Sequence, residues 1–157
     1  MRQFKAPWGT VLWVMSALAT SICIAIAALP NSPWARTLPL LGMAVAALFI
    51  VRDYRITPDS ILITRLMWTT RLPLAGLQSA RRPTDADRHS LTIRTFGNGG
   101  FYSITGWYWS KALGAYRCFV TDPKRIVILK FARRTIMLSP DAPEEFIRAL
   151  PPETRAP

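Results

Sequence analysis

His89 is the single histidine of the chain and lies in Asp85-Ala86-Asp87-Arg88-His89-Ser90. A nucleophilic set of Ser90, His89 and Asp87 can be written on paper. Neighbours in one exposed loop do not give its geometry, because nucleophile, base and orienting carboxylate must meet in line. Asp85 and Asp87 resemble the start of a calcium loop, but no later Glu completes it. Cys23 falls in an apolar run and Cys118 in a strand-like segment, with no CxxC or His/Cys cluster near either. That spacing predicts neither a zinc site nor a disulfide. Two thiols used as small hydrophobes suit a reducing compartment. No catalytic residue, cofactor or metal is expected.

Binding chemistry has more candidates. Phe96-Gly97-Asn98-Gly99-Gly100-Phe101 is glycine-rich, yet Tyr102 stands where a dinucleotide loop needs its third glycine, and the phosphate-loop pattern also fails. Such a segment can present N–H groups as an anion nest or simply make a tight turn. Phe101, Tyr102, Trp107, Tyr108 and Trp109 follow, then Lys111. Aromatics there can fill a core, sit at a membrane interface or anchor a protein partner. Arg81-Arg82, Lys124-Arg125 and Arg133-Arg134 are basic pairs expected at turns and loops. The candidate contact residues are Gly97, Asn98, Gly99, Gly100, Phe101, Tyr102, Trp107, Trp109, Lys111, Arg133 and Arg134. Aromatics beside basic residues also suit single-stranded nucleic acid; the membrane-anchored location expected from the N-terminal third argues against that partner.

The elements that must position these residues divide sharply. Residues 1–51 contain only Arg2, Lys5 and Arg36 as charged side chains. Residues 52–157 hold the other 17 Lys/Arg and all nine Asp/Glu, within a net charge of +11. Residues 8–29 form an uncharged run, long enough for a membrane core that needs about 20 apolar residues. Leu29-Pro30-Asn31-Ser32-Pro33 breaks it. A second, shorter run ends at Val51, and the two predict a transmembrane hairpin over 1–52 with helices at 8–29 and 34–51. Trp8, Trp34, Arg36 and Arg52 are the expected interface anchors. A cleaved signal peptide is the alternative for the first run, with Ala25-Ile26-Ala27 as its processing site. Arg2 and Lys5 before the hairpin, and Arg52, Arg55 and Arg65 after it, predict both termini on the cytoplasmic side. The expected location is an inner membrane.

Beyond residue 52 the pattern is β. Seven strands are expected: 53–56, 60–66, 69–74, 91–96, 116–120, 126–131 and 135–138, the last two as a hairpin. Asp141, Pro143, Glu144 and Glu145 form a helix start signature, Asp141 as cap, followed by an apolar stripe of Phe146, Ile147 and Leu150. A disordered tail is expected over 151–157.

Three stretches carry a resemblance. They are Tyr54 to Ile63 running into Thr70-Arg71-Leu72-Pro73-Leu74; Arg94 to Phe101 with Lys111-Ala112-Leu113-Gly114; and Thr121 to Arg125 through Leu138-Ser139-Pro140-Asp141 and Phe146. Together with two N-terminal membrane helices they resemble the bacterial pleckstrin-homology-like (PH-like) membrane proteins, over roughly residues 50–150. The resemblance implies an α+β membrane protein whose soluble domain, 53–150, is a β-sandwich or barrel capped by a C-terminal helix, with no catalytic activity. Eukaryotic relatives read phosphoinositides with a basic loop between their first two strands; Thr57-Pro58-Asp59 here is short and not basic. The expected function is therefore a membrane-anchored interaction module, binding a protein partner or a second copy of itself. The alternatives are a sensor of anionic phospholipid and an accessory subunit of a membrane or envelope transport complex. Gly42 with Ala46 offers a weak helix-packing face for the last of these.

Overall fold

The structure, a computed structural model, describes residues 2–28 and 32–154. The expected helix break at Leu29-Pro30-Asn31 and the last three residues of the tail lie outside the described residues.

Helix α1 spans Thr10–Ala28 and is apolar on all sides; only Leu12 and Ser16 are buried. At 19 residues, with a mean hydropathy of 2.2 over its most apolar 18, it is long and apolar enough to cross a membrane. It starts two residues later than the predicted 8–29, because Gly9 is held by the rest of the domain. Its N–H donates to the Thr121 carbonyl at 3.0 Å, and a Cβ there would stand 2.7 Å from the Asp122 carboxylate. Helix α2 spans Pro33–Leu48, with Ser32 as N-cap accepting from the Trp34 N–H. The predicted 34–51 overshoots at its end because Val51 opens a strand. At about 1.5 Å per residue, α2 is roughly 24 Å long, short of a hydrocarbon core of about 30 Å. Among the described residues α1 alone reaches membrane-spanning length.

Ten strands are described rather than seven. Strands β1 (Arg2–Lys5), β2 (Val51–Ile56), β3 (Ser60–Arg65) and β4 (Thr69–Pro73) form one antiparallel sheet in chain order. Strands β5 (Leu77–Arg81), β6 (Thr92–Gly99), β7 (Ile104–Ser110), β8 (Gly114–Val120), β9 (Val127–Phe131) and β10 (Thr135–Leu138) form the other, ordered β5-β9-β10-β8-β7-β6. β1, β5 and β7 are the three not foreseen. β9 and β10 make the expected hairpin, and β10 lies parallel to β8.

β1 is four residues with one apolar side chain, too little for a periodic signal. It pairs antiparallel with β2, Phe4 opposite Tyr54. The Ala6 N–H extends the ladder to the Arg52 carbonyl, and the Asp141 N–H donates to the Lys5 carbonyl at 2.9 Å. The α1–α2 hairpin is thus an insertion between two neighbouring strands of one sheet. Both its ends are held at one side of the sandwich.

The core lies between the sheets: Ile61, Ile63 and Leu72 face Phe119, Leu129, Ile136 and Leu138. Helix α4 (Pro143–Arg148), which follows a short helix α3 (Asp85–His89) in chain order, closes the open end. Phe146 packs edge-on to Phe4 at 5.1 Å. Ala142 is its N-cap, without a side-chain bond; Asp141 instead accepts from the Ala142 N–H at 3.0 Å, so the predicted cap is one residue out. Tyr54 ties the sheets: its hydroxyl donates to the Phe119 carbonyl at 2.6 Å and accepts from the Ser139 N–H at 3.3 Å. Burial pushes its pKa up to about 12. The tail is ordered further than predicted. Pro152–Thr154 forms a 3-10 turn with Thr154 buried, because the Thr154 hydroxyl and N–H both bond back to the Pro151 carbonyl.

Candidate functional site

The glycine-rich segment is strand rather than loop through Gly99. Gly97 and Gly106 face each other across β6 and β7, and both have positive φ. A Cβ at Gly97 would lie 2.4 Å from the Thr105 carbonyl, and one at Gly106 would lie 2.2 Å from that of Phe96. Close backbone approach explains both glycines.

The turn itself, 100–103, is tied to the two helices. Ser16 on α1 accepts from the Tyr102 N–H at 2.9 Å, and Thr20 meets the Tyr102 hydroxyl at 3.0 Å. Ser103 donates to the Phe49 carbonyl at the end of α2, at 3.1 Å. These bonds hold Tyr102 at φ 64, a conformation that bulky residues avoid. Asn98 braces the turn by accepting from the Phe101 N–H and donating to the Phe101 carbonyl. Of the candidate contact residues at this turn, Gly100 is buried and Phe101 and Tyr102 are half-buried, Tyr102 against α1.

Beside α2 the β6–β7 hairpin borders a cavity of about 440 Å³. Gly42, Val45, Ala46 and Phe49 of α2 form one wall. Phe96, Phe101 and Trp107 form the other, and Phe119 the floor. Gly42 and Ala46, the expected helix-packing face, both line this space. Trp107 and Trp109 remain 49% and 43% exposed, and Phe96 77%.

Two arginines reach into the cavity. Arg65, at the end of β3, is 6% exposed, and its Nε has no hydrogen-bond partner. Its guanidinium sits 5.0, 5.2 and 5.7 Å from the rings of Phe119, Trp68 and Phe49. Arg117 on β8 stacks 4.9 Å from the same Phe119 ring and 5.6 Å from Trp107. No carboxylate lines the cavity among the described residues. Burial, then the neighbouring Arg117, pushes the Arg65 pKa down; burial, then Arg134, does the same to Arg117. Cation–π contact offsets part of the desolvation cost but supplies no counter-charge.

Neither arginine was among the candidate site residues. The signal was present: alternation puts Arg65 on the face of Ile61 and Ile63, and Arg117 on the face of Phe119. Of the expected contact residues, Gly97, Asn98, Phe101 and Trp107 meet at the cavity. Arg134, exposed in the β9–β10 turn, approaches Arg117 closely enough to perturb it. Arg133 and Lys111 are exposed in turns elsewhere.

The remaining polar clusters are internal ties. Arg81 belongs to β5 and pairs with Asp87 at 2.5 Å, which lowers the Asp87 pKa to about 2. Arg82 reaches Glu144 at 3.6 Å, and Arg125 reaches Asp122 at 3.3 Å. His89 Nδ1 bonds the Asp85 carbonyl, and Ser90 accepts from the Ala112 N–H, so Ser90, His89 and Asp87 each have other partners. Burial raises the Cys118 pKa to about 12, leaving a poorly reactive thiol.

A family model described as Bacterial PH domain matches residues 52–153. No curated protein and no solved structure matches the chain. The matched residues cover the sandwich from β2 onward; β1 and both long helices precede them.

Proposed function

The chain belongs to the bacterial PH domain family, and from that premise we propose that it is a non-enzymatic binding module anchored in the bacterial inner membrane by the α1–α2 hairpin. The observation that carries this is the pairing of β1 with β2. A hairpin inserted between neighbouring strands must leave the domain and return to the same side. α1 then crosses and the shorter α2, with Trp34 and Arg36 exposed in its first turn as interface anchors, comes back. β1 also bears on the signal-peptide alternative: cleavage at Ala25-Ile26-Ala27 would remove an edge strand whose Phe4 is buried in the core. Arg2, Lys5, Arg52 and Arg55 flank the hairpin on the domain side, which under the positive-inside rule is the cytoplasm.

Trp8 packs at a tilt against Trp13, ring centroids 4.8 Å apart, at the base of α1. With Trp107 and Trp109 it would set the headgroup level. The binding surface in this reading is the cavity between α2 and the β6–β7 hairpin, facing the bilayer.

Cells with an impermeant thiol reagent outside the inner membrane provide the test, in a background with Cys23 and Cys118 replaced by Ala. A Ser32→Cys variant is expected to be labelled and a Lys130→Cys variant to be protected, with all protein in the alkali-resistant membrane fraction. Recovery of the chain without detergent, or labelling at position 130, would sink the proposal. A protein partner or second copy is the other reading, favoured by β6: it ends its sheet with an unpaired edge, and Leu91, Ile93 and Phe96 stand exposed along it. Crosslinking in native membranes tests it, with adducts expected at a photo-reactive residue replacing Ile93.

A further inference from the structure

We infer that the cavity beside α2 holds one anionic phospholipid taken from the bilayer, its phosphate between Arg65 and Arg117 and an acyl chain against α2. The inference rests on the membrane reading above. Three observations carry it.

The first is charge. Arg65 is more than nine-tenths buried, has an unpartnered Nε and opens onto the cavity. Arg117 shares the Phe119 ring with it. Among the described residues neither is paired with a carboxylate, whereas Arg55, Arg81, Arg82 and Arg125 all are. An uncompensated buried guanidinium is costly, and a phosphate is the planar fork's natural acceptor.

The second is the chemistry of the walls. Val45, Ala46, Phe49, Phe96, Trp107 and Phe119 are apolar, so a free phosphate would leave most of the space unfilled. A molecule with a charged head and a hydrocarbon tail matches both parts.

The third is continuity. The α2 wall is the same helix whose Leu38, Leu40, Leu41 and Val45 are exposed and apolar. A chain leaving the cavity past Gly42 therefore stays on an apolar surface. Phe49, at the end of α2, is 5.7 Å from the Arg65 guanidinium, which sets the arginine at the depth of the headgroups.

The test uses the full chain purified in a mild zwitterionic detergent and native mass spectrometry. Dioleoyl phosphatidylglycerol and dioleoyl phosphatidylcholine are the probes. Wild type is expected to retain one phosphatidylglycerol and at least ten-fold less phosphatidylcholine. Arg65→Gln with Arg117→Gln is expected to abolish that preference. Because the arginine variant removes core cation–π contacts, Gly42→Phe is the second variant. An added Cβ at Gly42 meets nothing within 4 Å, so the ring is expected to fill the groove and expel the lipid from a folded protein. Lys124→Gln with Lys130→Gln removes the same charge from exposed sites and is expected to retain lipid as wild type does.

Equal retention of both lipids would overturn the inference. So would loss in the lysine control matching that in the arginine variant, or unchanged retention in Gly42→Phe. Displacement of the lipid by millimolar inorganic phosphate would identify a simple anion site and overturn the lipid assignment. These readings are independent of the thiol-labelling result, so failure of the lipid site and failure of the membrane anchor can be told apart.

Discussion

Arg65 is buried and Arg117 half-buried where β3 and β8 meet at Phe119, with no carboxylate lining their cavity among the described residues. Three rings around Arg65 soften that burden without neutralising it. Tyr54 is a polar core residue of the opposite kind, fully satisfied by Phe119 and Ser139. Tyr54→Phe leaves the Phe119 carbonyl without its donor and is expected to cost about 1–3 kcal/mol, read as a lower melting temperature in detergent; an unchanged melt would deny the bond that role. Asp87 has a pKa depressed to about 2 from the ordinary 3.8. Its tie to Arg81 therefore stabilises the fold above the ordinary value and is lost as pH falls through the depressed one. Melts from pH 6 down to pH 2 are expected to show that loss in wild type and a flatter profile in Asp87→Asn. The alternation of β3 and β8 made both arginines readable as inward-facing, but nothing in it could say that no carboxylate would meet them. That depends on two strands far apart in the chain meeting at one phenylalanine.

Strands β6 and β7 were legible as apolar and aromatic segments, yet their job was not. Gly97 and Gly106 are glycines because two backbones pass too close for side chains. Gly106→Ala is expected to destabilise by more than about 1 kcal/mol, since the native φ of 148 is closed to alanine. Gly42→Ala, in open helical space, is expected to leave stability unchanged or raised. Chemical denaturation of the two variants side by side checks the contrast. The turn at 100–103 clamps α1 through Ser16 and Thr20, two small polar residues that look incidental in an apolar run. β1 was not legible at all: four residues carry no period, and their partner β2 lies beyond the whole helical hairpin. Phe4→Ala empties a site against Phe146 and Tyr54 and is expected to cost about 3–5 kcal/mol by the usual penalty for core phenylalanines.

At the scale of the molecule, β1 makes the soluble domain discontinuous: residues 2–6 and 51–154 fold together around an inserted pair of helices. A fragment starting at residue 51 would expose the edge of β2. It is expected to self-associate in size-exclusion chromatography, whereas the full chain in detergent does not. A monodisperse fragment would show that β1 is dispensable. The residue pattern by itself determined the uncharged first run, the basic second part, most of the strands and the closing helix, because those follow from local periodicity and from where charge is absent. Only the tertiary structure decided that the N-terminus completes the sheet and that the glycine-rich turn grips α1. It likewise decided that Arg65 and Arg117 share a cavity with α2. Each of these is a meeting of segments far apart in sequence, held by backbone pairing and packing that no local pattern encodes.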